Sequence, residues 1–220
     1  MDGMKIIDIR NVRDRSDEVM DDSTPGRPRI MPADYYRATS VEERALLGAR
    51  NALYGLPTTE LVAWVSNEIG GRSAIEIGAG HGALAGALGI AATDNWMQQD
   101  PAIAAAYAAT HQKVISYGPN VFKMAADEAI DYYKPQVVVA CWVTHKWRED
   151  RPEAGGNMFG VDEEALLDAC ESYIFIGNEQ VHRHKSIWNR PHRIIYPDWL
   201  YSRAHNGSRD FIAVWGGDHG

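Results

Sequence analysis

The sequence predicts an α/β fold in three layers: a mostly parallel, seven-stranded sheet between helices, closed by an antiparallel C-terminal hairpin strand. Three observations predict it. Short apolar, β-branched runs alternate with helical patterns from Ser73 onward, and parallel neighbours need such crossovers. A glycine turn, Gly78-Ala79-Gly80-His81-Gly82, joins the first strong strand directly to a helix of small residues. Two apolar segments near the C-terminus flank Asn206-Gly207, a pair that favours a tight reversal.

The elements follow in order. Residues 1 to about 30 mix both charge signs around a short apolar stretch, Lys5 to Ile9, and end in DDSTPGRPRIMP, where prolines and a glycine exclude regular structure. An arm or lid is expected there. In SVEERALLGARNALYG, Ser40 is the N-cap, Glu43 its capping-box partner, and Leu46, Leu47 and Leu53 share one side. The next helix, in LPTTELVAWVSNEIGG, is capped by Thr58 or Thr59, buries Leu61, Val62, Val65 and Ile69, and stops at Gly70-Gly71. Residues 1–70 thus read as an arm and helical cap, and 71–220 as the main domain.

Within that domain, strands are predicted at 73–77, 89–93, 121–125, 136–141 and 173–177. Helices fall between them at ALAGALG, at the alanine-rich stretch 101–111, at 127–133 and at 162–171. The ending differs, with strands expected at 193–201 and 210–215 joined by SRAHNGSR into a hairpin that closes the sheet. No repeat of 20 to 50 residues and no low-complexity tract interrupts this order.

Composition narrows the class. With 45% hydrophobic and 24% charged residues the chain is an ordinary globular protein. No run of about 18 apolar residues exists, and the first segment carries charges where a signal peptide needs an apolar centre. A cytoplasmic protein without a membrane partner is expected. Two cysteines, Cys141 and Cys170, are too few for a disulfide framework and lack the spacing of a zinc site. A net charge of -8 argues against a general polyanion binder, although a local basic face is compatible with it.

The chemistry centres on Ala74-Ile75-Glu76-Ile77-Gly78-Ala79-Gly80-His81-Gly82, a strand with an acid at its end and three glycines at alternate positions. Such a turn needs backbone angles unfavourable to a Cβ and lets a ligand approach the main chain. Gly78, Gly80 and Ala83 also satisfy the looser dinucleotide pattern. Four features point elsewhere. Glu76, two residues before the glycines, suits a cationic amino acid moiety better than a pyrophosphate. About 70 residues precede the turn, Asp94 and Ala126-Asp127 follow the second and third strands, and a terminal hairpin is present.

Together these residues resemble the class I, S-adenosylmethionine-dependent methyltransferase family, over about Ser73 to Trp215. The resemblance implies a Rossmann-like domain that binds S-adenosyl-L-methionine. By it, Glu76, Gly78, Ala79, Gly80 and Gly82 would line the methionine end and Asp94 would hold the ribose hydroxyls. Asn95 and Trp96 would flank ribose and adenine, and Ala126 and Asp127 would face the adenine. As alternatives, Asp94 and Asp127 are also ordinary helix-capping residues.

The segment VVVACWVTHKW, which ends the fourth strand, sits where this family places residues near the transferred methyl. Cys141 would lie beside the cofactor as a buried thiol, since no proline precedes it as base C5 methylation would require. The Asn-Pro-Pro-Tyr and Asp-Pro-Pro-Tyr signatures of exocyclic amine methylation are absent. His145, just past the strand and titrating near neutrality, is the candidate general base.

Val181 to His205 holds Arg183, Lys185, Arg190, Arg193 and Arg203, four histidines, and Trp188, Tyr196, Trp199 and Tyr201. That segment is expected either to grip an anionic or aromatic substrate or to coat a loop over a packed core. His182 and His184 have the spacing for one metal, yet no third ligand is identifiable, so no metal is expected. The expected activity is transfer of a methyl group to an oxygen or nitrogen of a small-molecule acceptor. A nucleic acid methyltransferase, a catalytically silent binding domain and a nicotinamide oxidoreductase are the alternatives.

Overall fold

The computed structural model describes residues 9–24 and 26–217. The apolar stretch expected at Lys5 to Ile9 therefore lies almost wholly outside the described residues. Among the described residues nine strands occur: β1 (Gly55–Leu56), β2 (Ala74–Ile77), β3 (Ala91–Asp94), β4 (Val121–Lys123), β5 (Val137–Cys141), β6 (Ser172–Asn178), β7 (His192–Ile195), β8 (Tyr201–Ser202) and β9 (Asp210–Gly216). The α-helices are α1 (Ser16–Val19), α2 (Ala33–Arg37), α3 (Val41–Asn51), α4 (Thr59–Ile69), α5 (Ala83–Leu88), α6 (Pro101–Ala109), α7 (Ala126–Tyr133), α8 (Glu163–Ala169) and α9 (Glu179–His182). No helix among the described residues is long and apolar enough to cross a membrane.

Seven strands form one sheet in the order β4-β3-β2-β5-β6-β9-β7, with β9 antiparallel to both of its neighbours and the others parallel along the sheet. This is the Rossmann-like sheet the sequence predicts. Strand alternation explains the three layers. Val138 and Ala140 of β5 join α7 and α8 in one core, with Ile130 and Leu166. Val137 and Val139 join α4 and α5 in the other, with Leu61, Val65, Ile69 and Leu84. Because α4 packs on the sheet itself, the division at residue 70 crosses a packed interface. The chain order reverses between β2 and β5, and a doubly wound sheet binds ligands at the carboxyl ends of such strands.

The capping chemistry explains why the helices start where they do. Ser40 Oγ accepts from Glu43 N at 3.1 Å and Glu43 Oε2 accepts from Ser40 N at 2.8 Å, completing the box. Thr58 caps α4 by accepting from Leu61 N at 3.0 Å. Leu46 and Leu47 are buried within α3, while Leu53 is buried just beyond its end, after the left-handed Ala52.

Over its described residues the arm folds onto the cap, through α1 and a bridge between Met20 and Pro28, and Val19 packs with Tyr36, Leu47, Leu53 and Leu56. Two expectations are corrected. The C-terminal hairpin is not one continuous ribbon over 193–215. Its first strand stops at Ile195, before Pro197, and Tyr201–Ser202 leaves the sheet to pair with Gly55–Leu56 of the cap. Helix α6 buries none of its residues, so alanines that predict a packed crossover helix instead stand off the sheet.

Candidate functional site

The glycine turn owes its shape to left-handed backbone. Gly78, Gly80 and Gly82 have φ of +58°, +56° and +71°, where a Cβ is disfavoured. Ala79 N donates to Thr93 O and Gly80 N to Asp94 Oδ2, at 2.9 and 3.0 Å, which locks the turn against the end of β3. A cavity of about 690 Å³ opens beside it, within the usual range for small-molecule sites. A second lobe of about 50 Å³ lies under the cap. Tyr54, Gly78, Ile115 and Cys141 line both, so the two lobes meet at these four residues.

The small lobe is lined by Glu76, Gly78, Ala79, Gly80 and His81 from the sheet side. Glu76 is buried and accepts from Ala85 N at 2.8 Å. Burial pushes its carboxyl up to about 8, and no cation among the described residues offsets this. The His81 ring is pushed down to about 4 by burial and by Arg27, so it is neutral at pH 7.

The large lobe is lined by Asp94, Asn95, Ala126 and Asp127 on one side and by Cys141 to Thr144 on the other. Asp94 also accepts from Trp96 N at 2.9 Å, and burial raises its carboxyl above the usual range. Asn95 donates to Phe159 O at 2.9 Å and so ties the β3 end to the loop before α8. Asp127 is exposed at the rim and accepts from Glu128 N. Burial, Glu76 and Asp210 push the Cys141 thiol far above its ordinary value, which keeps it a neutral wall residue.

Three expected site residues stand elsewhere. Gly82 lines neither lobe; a Cβ there would lie 2.6 Å from Val121 Cγ2, so this glycine serves close helix-to-strand packing. Trp96 also lines neither. Its ring stacks on Tyr117 at 5.2 Å and 11°, its Nε1 is buried without a partner, and Tyr117 is the ring that reaches the cavity. His145 lines neither lobe but a small adjoining pocket that shares Lys146, Val161 and Asp162 with the large lobe, and its Nε2 is 3.1 Å from Ala154 O. The left-handed Trp142, at φ +62°, redirects the chain just before it.

The basic segment 181–205 does not present one cationic face. Lys185 is buried against Glu163 at 2.7 Å, Arg190 pairs with Asp168 and Glu164, Arg193 with Glu68, and Arg203 lies over the Tyr54 ring. Trp188 packs among His192, Phe211 and Trp215, and the His182 ring is buried with Nδ1 accepting from Asn178 N at 2.9 Å.

Sequence reasoning missed most of the cavity's other wall. Gln98 Nε2 donates to Tyr107 at 3.2 Å, Gln98 Oε1 accepts from Ile115 N at 2.9 Å, and the Tyr107 and Tyr54 hydroxyls are 3.4 Å apart. These residues converge from separate segments without any local spacing to announce them. Among the cap tyrosines, Tyr54 reaches the cavity, whereas Tyr36 is buried in the cap and Tyr35 bonds Glu18.

No protein-family model matches the chain, and no curated protein sequence matches it. Among the solved structures that align with it are two assigned as methyltransferases. Precorrin-6y C5,15-methyltransferase from Geobacter metallireducens GS-15 is 12% identical, with a TM-score of 0.38 over 73% of this chain and 89% of that one. SMU.776, assigned as a methyltransferase and complexed with SAH, is 10% identical, with a TM-score of 0.35 over 69% of this chain and 48% of that one. This chain thus spans about half the length of SMU.776. Superpositions this loose lend nothing to the site, which rests on its own geometry.

Proposed function

We propose that this protein binds S-adenosylmethionine across the two lobes and transfers its methyl group to an oxygen or nitrogen of a small-molecule acceptor. One observation carries the reading: a buried carboxyl without a cation, Glu76, stands in the small lobe beside the glycine turn, and a second acid, Asp94, lines the large lobe. An α-ammonium is the chemistry Glu76 lacks, and it suits a sulfonium amino acid better than a pyrophosphate.

Residue roles follow from position. Glu76 and the backbone of Ala79 and Gly80 would hold the amino acid end. Each Asp94 oxygen already accepts one backbone N–H, and its remaining lone pairs suit ribose hydroxyls. Met97, Met124, Ala126 and Ile130 supply the apolar surface for a purine, with Asp127 at the rim. The cofactor, when bound, supplies an activated methyl, so the protein's part is orientation and exclusion of water. His145 has no direct part at this cavity.

The acceptor reading follows from charge. Four acids, Asp94, Asp127, Asp131 and Asp162, line the large lobe with one cation, Lys146. That balance disfavours a phosphate-bearing acceptor and favours a neutral or cationic small molecule. Incubation with methyl-tritiated S-adenosylmethionine and either a small-molecule extract or total RNA tests this. Label in the small-molecule fraction alone supports the reading; label in RNA overturns the acceptor class. No label in either, from protein that binds the cofactor, favours a catalytically silent binding domain.

A further inference from the structure

The large lobe's wall at residues 141–144 is held in an unfavourable backbone shape. Trp142 has φ +62°, a conformation costly for a bulky residue. Val143 follows, and its Cγ1 would lie 2.5 Å from a Cβ at Gly78, so the wall and the glycine turn meet closely. Cys141, Trp142, Val143 and Thr144 all line the cavity, so a shift of this segment reshapes it.

Two side chains from one turn of the chain support the segment from behind. Lys185 Nζ donates to Val143 O at 3.0 Å and to Glu163 Oε2 at 2.7 Å, with both charged side chains almost fully buried. Tyr173 donates to the other Glu163 oxygen at 2.7 Å. The His182 ring meets the Trp142 ring edge-on at 5.2 Å. A buried ion pair is a poor source of stability, because desolvation offsets most of its attraction. The informative feature is that Lys185 points a donor beyond the ion pair, at Val143 O.

We propose that Lys185 is a positioning residue of the site, fixing the cavity wall through the carbonyl of Val143, and that Glu163 and Tyr173 hold it for that role. The lysine never touches the cavity itself. The inference rests on the cofactor reading only for one of its two readouts.

The test combines Lys185→Met with Glu163→Gln, whose amide oxygen still accepts from Tyr173, and compares this double variant with Glu163→Gln alone, in which Lys185 loses its counter-charge but stays in place. Three quantities are measured: the melting temperature, the affinity for S-adenosylhomocysteine, and the rate at which N-ethylmaleimide alkylates Cys141 in a Cys170→Ser background. The double variant is expected to fold with a lowered melting temperature, since Val143 O loses its partner, to bind about tenfold or more weakly, and to expose Cys141 to faster alkylation. Glu163→Gln, which loosens the lysine without removing it, is expected to move both values the same way by a smaller factor. A folded double variant with both values unchanged overturns the proposal. Should the double variant not fold, Glu163→Gln decides alone, shifted values supporting and unchanged ones overturning. If the wild type itself does not bind S-adenosylhomocysteine, the cofactor reading fails and the alkylation rate still decides the role of Lys185.

Discussion

At the scale of the residue, Glu76 carries the sharpest consequences. Its folded value of about 8 stands above the ordinary 4.5 because burial disfavours the charged form. For such a raised acid, the stability it contributes is complete below about pH 4.5 and is lost as pH rises toward about 8. Thermal melts of wild type and Glu76→Gln should therefore diverge in favour of the variant across that window and run parallel above it. Ligand binding has the opposite slope. An ammonium ligand needs the ionised carboxyl, so affinity for S-adenosylhomocysteine should fall by up to about tenfold per pH unit below about 8. Titrations between pH 6 and 7.5 should show that slope in wild type and neither slope nor comparable affinity in Glu76→Gln.

The glycines separate in the same way. Gly78→Ala puts a Cβ against Val143 at 2.5 Å on the cavity side, whereas Gly82→Ala puts one against Val121 at 2.6 Å away from it. Both substitutions should destabilise by roughly 1–3 kcal/mol, since both sit in left-handed backbone. Only Gly78→Ala should also weaken the affinity of the protein that remains folded; equal affinity losses would contradict the division of roles. The glycines were legible because left-handed backbone dictates their residue type, and Glu76 because a carboxylate in an otherwise apolar strand just before that turn stands out in the sequence. Gln98, Tyr107 and Tyr117 were not, because side chains spaced irregularly along 98–117 match neither a helical nor a strand period. His145 was misplaced because a strand's end is legible while the left-handed turn at Trp142 is not.

At the scale of the element, α6 is the exception to the layered order. Its residues carry no buried contact, and Tyr107 is the side chain that ties it to the cavity through Gln98 and Tyr54. Left-handed Trp96 and His111 bracket the segment. Hydrogen exchange should be fast over 101–109 and slow over α4, whose Leu61 and Val65 are buried. S-adenosylhomocysteine should slow exchange at 98–117; unchanged exchange there would remove this segment from the binding wall. Helix existence was legible here, since alanine favours helix. Its placement was not, because alanine offers too little surface to specify a packing partner. The terminal strands were likewise legible as elements, while the departure of Tyr201–Ser202 to the cap depends on a contact with Gly55–Leu56 that no local pattern encodes.

At the scale of the molecule, charge and topology point the same way. The net charge is -8, and the cations of 181–205 are largely spent on internal partners. Titration with duplex DNA or single-stranded RNA at low salt should show no salt-sensitive binding. The sheet order places the reversal point between β2 and β5, and the elements on either side of it supply Glu76, Gly78 and the Cys141 wall. Alternation of strand and helix made that architecture readable from the sequence.

The central claim, that the paired lobes hold S-adenosylmethionine, is tested most directly by calorimetric titration with S-adenosylmethionine, S-adenosylhomocysteine and NAD, in wild type and in Gly80→Arg. Gly80 lines the small lobe, and an arginine there would fill it. Micromolar binding of either sulfur compound (on the order of -8 kcal/mol), abolished in the variant and absent for NAD, is the predicted result. Binding of NAD in their place, or of neither sulfur compound, would contradict it.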